Sequence, residues 1–299
     1  GDANVETYVL AAGAQTFTLG ATGQNVTANS TGGSGEIQID TDSLTSITGT
    51  FDDNGGNDTI FLNVETNANI STANTTDVDK IALADGVNVT MTVAQHALLD
   101  GAAGTNTITL SNAGTITADA NVETYVLANG GGTTITIGAN GQNVTTGNGA
   151  DTIDVGNRTA TGTFTTSSTS TIKLSNNANI AGVNAEGNGT GTAFTANNLT
   201  LVTGASVTMT AAQNNSFSTG TTTAGGTNTI DITAAASVTG LVNIETYTLA
   251  AGAQTFTLGA TAQNVTADGT GGSGLITIDT DTLTSVTGTF DDNGGNDTI

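Results

Sequence analysis

Short runs of alternating apolar and polar residues recur along the whole chain. Examples are ETYVLA, QTFTLGA, EIQIDT, DTIFLNV, NTITLS, TTITIG, DTIDVG and NTIDIT, nearly all followed within three residues by Gly, Asn or Asp. Alternation with period two sets every second side chain on one face of a pleated strand, and Gly, Asn and Asp supply the tight turns that end it. In the most regular stretch the apolar centres Ile108, Ile116, Val126, Ile135, Val144 and Ile153 fall eight to ten residues apart, so two steps make a circuit of about 18 residues. A strand and turn repeated at that pitch, with no helix between, predicts an all-β fold: a parallel β-solenoid in which each coil stacks on the last. An antiparallel sandwich shares the strand spacing, but sandwiches usually bury large aromatics, and this chain has no Trp and 3 Tyr.

Helical spacing interrupts the alternation at TVAQHALLDG, Thr92–Gly101, where Val93, His96, Ala97 and Leu99 have helical spacing and Gly101 can end the helix. The related TAAQNNSFSTG, Thr210–Gly220, has lost most of that apolar face. One or two turns of helix are expected there, as excursions from the stack.

The pattern is itself repeated. Residues 4–60 and 243–299 align without a gap at 48 identical positions of 57, and a weaker copy begins at Asn121. The chain therefore divides into a half-repeat at 1–120, a diverged half-repeat at 121–239 and the start of the next unit at 240–299. Copies that neither start nor finish at a domain edge predict an excerpt of a longer tandem array.

Composition removes several classes of function. Leu, Ile, Val and Phe make up 63 of 299 residues and the net charge is −23, close to the regime of disorder. Order is favoured by the dominance of Thr, Asn, Gly and Ala and by the absence of Pro, which leaves every stretch free to join a backbone ladder. A two-strand coil also needs only a thin core, since continuous ladders and aligned Thr and Asn side chains add cohesion. With no Cys, disulfides, thiol catalysis and Cys-based zinc sites are excluded. Lys80, Arg158 and Lys173 are the only basic residues apart from His96, which argues against nucleic acid and anionic membranes. No 18-residue apolar run is present, so membrane insertion is not expected.

The strongest chemical motif is a Gly/Asp turn, seen as DNGGNDTIF at Asp53–Phe61, TGNGADTID at Thr146–Asp154 and DNGGNDTI at Asp292–Ile299. These segments resemble the glycine-rich nonapeptide of the RTX proteins, bacterial proteins exported by type I secretion, whose turns bind Ca²⁺ between coils of a β-roll. The resemblance implies calcium ligation at Asp58, Asp151 and Asp297, with Gly56, Gly149 and Gly295 as the motif's last glycine. Glycines let carbonyls turn inward and the Asp supplies a hard, charged oxygen, together approaching the six to eight oxygen ligands calcium takes. Good copies here lie roughly 90 residues or more apart, whereas the family's motif recurs every nine, and Asn106 and Asn228 stand where Asp would be.

Neighbouring carboxylates enlarge the candidate sites. Asp40 and Asp42 lie about one coil before Asp58, with Asp52 and Asp53 just upstream of it; Asp279, Asp281, Asp291 and Asp292 repeat the set, and Asp154 follows Asp151. Stacking is expected to bring several together, where like charges need a cation or must splay into solvent. The plainer alternative is that these Asp residues make good turns and an acidic, soluble face.

Catalysis is not expected, because His96 is the single His, Cys is absent and no Ser has a repeated partner. His96 reads as a partly buried helix residue. Tyr8, Tyr125 and Tyr247 share the ETY phrase and read as packing or inter-repeat contacts, and Glu6, Glu123 and Glu245 before them as surface charge or ligands. The expectation is a secreted bacterial structural repeat protein, a calcium-stabilised extracellular fibre, surface layer or matrix that self-associates and contacts a cell surface or carbohydrate. The stalk of a giant type I secreted adhesin is the alternative. A polysaccharide-active solenoid enzyme is less favoured, since it needs one unique concave site where this chain duplicates its carboxylates.

Overall fold

In a computed structural model the chain is all-β, with 4% helix and parallel strands wound as a β-solenoid. The structure describes residues 1–11, 13–29, 34–56, 58–186, 194, 198–217, 219–222, 226–268, 274–294 and 298–299. They form two compact units, Gly1–Asn129 and Gly130–Ile299, with about 13 turns between them.

In the first unit, one sheet stacks Gln15–Thr18, Glu36–Asp40, Thr59–Val64, Lys80–Leu83 and Leu99–Ala102. A second stacks Thr7–Leu10, Asn25–Ala28 and Phe51–Asp52, and a third Ala68–Asn69, Asn88–Met91, Thr107–Leu110 and Thr124–Val126. The second unit repeats the arrangement, for example in Ser206–Met209, Thr229–Ile232, Thr246–Leu249, Asn264–Ala267 and Phe290–Asp291. Every strand pair among the described residues is parallel, which is the prediction made from the alternation.

Coil length is the quantity the alternation misjudges. The step from strand to strand is 17 residues from Thr107 to Thr124, 25 from Val26 to Phe51 and 27 from Thr171 to Asn198. Turns absorb the difference, so apolar columns stay aligned: Ile39, Leu62 and Ile81 in the first unit, and Ile135, Ile153, Ile172 and Leu199 in the second. All seven are fully buried, each side chain contributing about 1.5–3 kcal/mol by leaving water.

Both helical excursions are present, α1 at Val93–His96 and α2 at Ala211–Ser216. The sequence favours the first because of its apolar face, yet α2 is the longer, six residues against four. Each helix is set by a polar device instead. Thr92 and Gln95 cap each other reciprocally, as do Thr210 and Gln213. The Gln95 amide then donates to Ile70 O (2.7 Å) and Ala73 O (3.3 Å) of the coil below, and Gln213 to Ile180 O (2.7 Å) and Val183 O (3.2 Å). Leu99 and Gly101 lie beyond α1 in the strand Leu99–Ala102, paired with Lys80–Leu83 rather than ending a helix.

Candidate metal centre

The turn that follows the strand Phe51–Asp52 is built by two successive side-chain caps. Asp52 Oδ1 accepts the Asn54 amide N–H at 2.6 Å and Asp53 Oδ1 accepts that of Gly55 at 2.9 Å. Asn54 and Gly55 both take positive φ, 54° and 69°, the left-handed region that Asn and Gly enter most readily. Asp52 and Asp53 are thereby set side by side. Asp77, from the next coil, joins them: one carboxylate oxygen from each of the three lies within 4.8 Å of the others.

Asp58 closes the same turn and is 5% exposed, and neither of its oxygens has a hydrogen-bond partner. A buried, unpaired carboxylate is costly, and so, independently, are three carboxylate oxygens held within 4.8 Å of one another unless a cation offsets them. Neither lysine supplies that charge, since the ion pairs among the described residues are Lys80 with Asp100 and Lys173 with Asp154. The donor set of hard carboxylate oxygens suits calcium. Asp52, Asp53 and Asp77 would hold the ion, which would supply the missing positive charge to this turn.

Asp151, at the matching place in the second unit, is closed. Its Oδ1 accepts the Thr133 amide N–H at 2.7 Å and its Oδ2 that of Gly147 at 2.8 Å, and the residue is fully buried. Two charge-assisted bonds from the backbone satisfy the carboxylate without an ion. Asn106 and Asn228 do the same work as neutral amides, accepting the N–H of Val87 (2.8 Å) and Ala205 (2.9 Å). In these turns the motif's polar residue ties one coil to the one before it. Gly149 serves the same stacking, for a Cβ there would fall 2.2 Å from Gly131 O, while Gly56 donates its N–H to Asp53 O at 3.1 Å.

The other sequence-predicted ligands are distributed differently from the expected columns. A coil of 18 residues would set Asp40 beside Asp58, but the register Glu36 to Thr59 sets Gly35 there instead. Asp40 Oδ1 accepts from Gln38 (2.7 Å) and Asn63 (3.0 Å), on a different sheet from Asp52. Asp42 donates its backbone N–H to Glu65 Oε2 at 3.0 Å and accepts from the Ser43 hydroxyl. Asp154 pairs with Lys173 at 2.7 Å and accepts the Gly156 N–H. Asp279 accepts the Asp281 N–H at 2.9 Å, and Asp281 accepts from the Thr282 hydroxyl. Asp291 and Asp292 reproduce the caps of Asp52 and Asp53, accepting from Asn293 (2.9 Å) and Gly294 (3.2 Å). Gly295 and Asp297 lie outside the described residues. Asp77 was missed because no motif marks it; only the length of the coil after Phe51 brings it to the cluster.

The ETY phrase has a structural role. Glu123 and Glu245 each accept, at 2.8 Å, the backbone N–H of the Asn residue one coil earlier, Asn106 and Asn228. The Tyr125 and Tyr247 oxygens accept the N–H of Asp119 and Leu241, again at 2.8 Å, closing the turn before each strand. His96 is 7% exposed, with Nε2 at 3.1 Å from the Tyr125 oxygen.

No protein-family model, curated protein or solved structure matches this chain.

Proposed function

We propose that the chain is a structural repeat protein, secreted by a bacterium and stiffened by calcium outside the cell, where it contributes to a fibre, surface layer or matrix. The observation that carries this reading is the first unit's acidic turn. Asp52, Asp53 and Asp77 present three oxygens within 4.8 Å, and Asp58 in that turn keeps both oxygens buried and unpaired. The turn is under electrostatic stress without a divalent ion and relieved with one. Exported calcium-free, such a chain stays loose at this coil; millimolar external calcium then fixes the register. The duplicated turns and continuous parallel ladders support a role exerted by length and surface, with self-association as the means of assembly, rather than turnover at a unique site.

Scanning calorimetry in chelator and then in calcium tests the reading. Calcium is expected to raise the first unit's melting temperature by several degrees, because a ligand at one hundred times its Kd adds about 2.7 kcal/mol. An unchanged melting temperature removes the ion from the account. Electron microscopy of the native material tests assembly: regular filaments or a lattice support it, and isolated stalks point to the adhesin alternative.

A further inference from the structure

The one histidine occupies a position whose counterpart is an asparagine, and both contact a buried tyrosine. Tyr247 donates its hydroxyl proton to Asn214 Oδ1 at 3.3 Å while accepting the Leu241 N–H. Tyr125 likewise accepts the Asp119 N–H at 2.8 Å, which leaves its own proton to be placed, and His96 Nε2 lies 3.1 Å away. Burial holds both phenols far above their ordinary pKa, so each keeps its proton at any physiological pH. Neutral His96 with its proton on Nδ1 accepts the Tyr125 proton through Nε2 as Asn214 accepts that of Tyr247. Asn has only this state. An imidazolium carries a proton on each nitrogen and accepts nothing, so protonation deprives the buried Tyr125 hydroxyl proton of its acceptor.

The surroundings favour the neutral ring. His96 borders a groove of about 440 Å³ between α1 and the strand Thr115–Thr117, lined by Val93, Ala97, Leu99 and Ile116, with Asp119 as its one carboxylate. Asp119 draws the ring's pKa upward but is already engaged by the Asn121 backbone and side-chain N–H groups, and burial outweighs it, leaving the pKa below 6.5. Glu123, two residues before Tyr125, is turned to Asn106.

We infer that His96 is an acid-sensitive latch: neutral, it ties α1 to Tyr125, and protonated it releases α1, whereas α2 with Asn214 stays closed. Because the folded pKa lies below the unfolded one, the latch's contribution is complete above pH 6.5 and is lost progressively as the pH falls from there. The half-repeat with His thus loosens in acid and the half-repeat with Asn does not.

The single His makes the test direct, by nuclear magnetic resonance at fixed calcium. The ring is expected to titrate below 6.5, and amide exchange over Val93–Ala97, corrected for intrinsic rates, to rise several-fold from pH 7.5 to pH 5. Exchange over Ala211–Ser216 stays flat. His96→Asn abolishes the acid response, and Asn214→His transfers it to α2, which covers the case in which His96→Asn does not fold. A ring that titrates at or above 6.5, an acid response that survives in His96→Asn, or an α2 that stays indifferent to pH in Asn214→His overturns the latch.

Discussion

Two turns spelled almost alike, DNGGNDTI around Asp58 and TGNGADTI around Asp151, settle a buried carboxylate in opposite ways. At Asp151 the N–H four residues earlier, on Gly147, points back to the carboxylate, and Thr133 of the preceding coil supplies another. At Asp58 the residue four earlier is Asn54, and its N–H is taken by Asp52 at 2.6 Å. Gly35 stands where Thr133 would, and both Asp58 oxygens remain unpaired. Replacing TTGNGA by DDNGGN thus diverts one donor and adds acceptors at Asp52 and Asp53. The same motif is a clasp closed by backbone donors in one unit and an acceptor-rich, unsatisfied turn in the other, and the difference lies in neighbours rather than in the motif Asp.

The largest expected effect breaks the closed turn. Asp151→Ala strands two N–H groups and should cost about 3 kcal/mol in urea unfolding of the second unit, at about 1.5 kcal/mol per charge-assisted bond. Asp151→Asn should cost only about 1 kcal/mol, since Asn106 and Asn228 show that one amide oxygen suffices to bind the coil before. Equal losses in both variants would mean that the charge, not the acceptor, matters there. The open turn should respond with the opposite sign: in chelator, Asp58→Asn should stabilise the first unit by about 2 kcal/mol by removing an unpaired buried charge. Loss of stability in chelator would show that Asp58 is satisfied after all. Asp77→Asn should weaken calcium binding about tenfold in titration calorimetry, a change of about 1.4 kcal/mol, while Asp279→Asn leaves it unchanged. The smallest effect is expected at Lys173→Met, below about 1 kcal/mol for a half-exposed pair, because Asp154 keeps its Gly156 bond.

Strand positions and the parallel stack could be read from alternation because burial of Ile39, Leu62 and Ile81 depends only on which face each residue occupies. The site was readable in part. Asp52 and Asp53 are adjacent in sequence and come together through their own turn, whereas Asp77 joins them only because the coil after Phe51 is long, and turn lengths carry no periodic signal. Asp40 illustrates the converse, a carboxylate that equal coils would have stacked on Asp58 and that a 23-residue step moves away. α2 was underrated because its anchor is Gln213, a buried polar residue bonded across coils, and apolar periodicity is blind to such a staple.

Hydrogen exchange by mass spectrometry, with and without calcium, tests the contrast between the two turns most directly. Calcium is expected to slow exchange in peptides spanning Phe51–Ile60 and Thr75–Lys80 at least tenfold while leaving those spanning Thr146–Asp154 unchanged. Protection of both turns alike, or of neither, would contradict an account in which backbone donors close one turn and a cation closes the other.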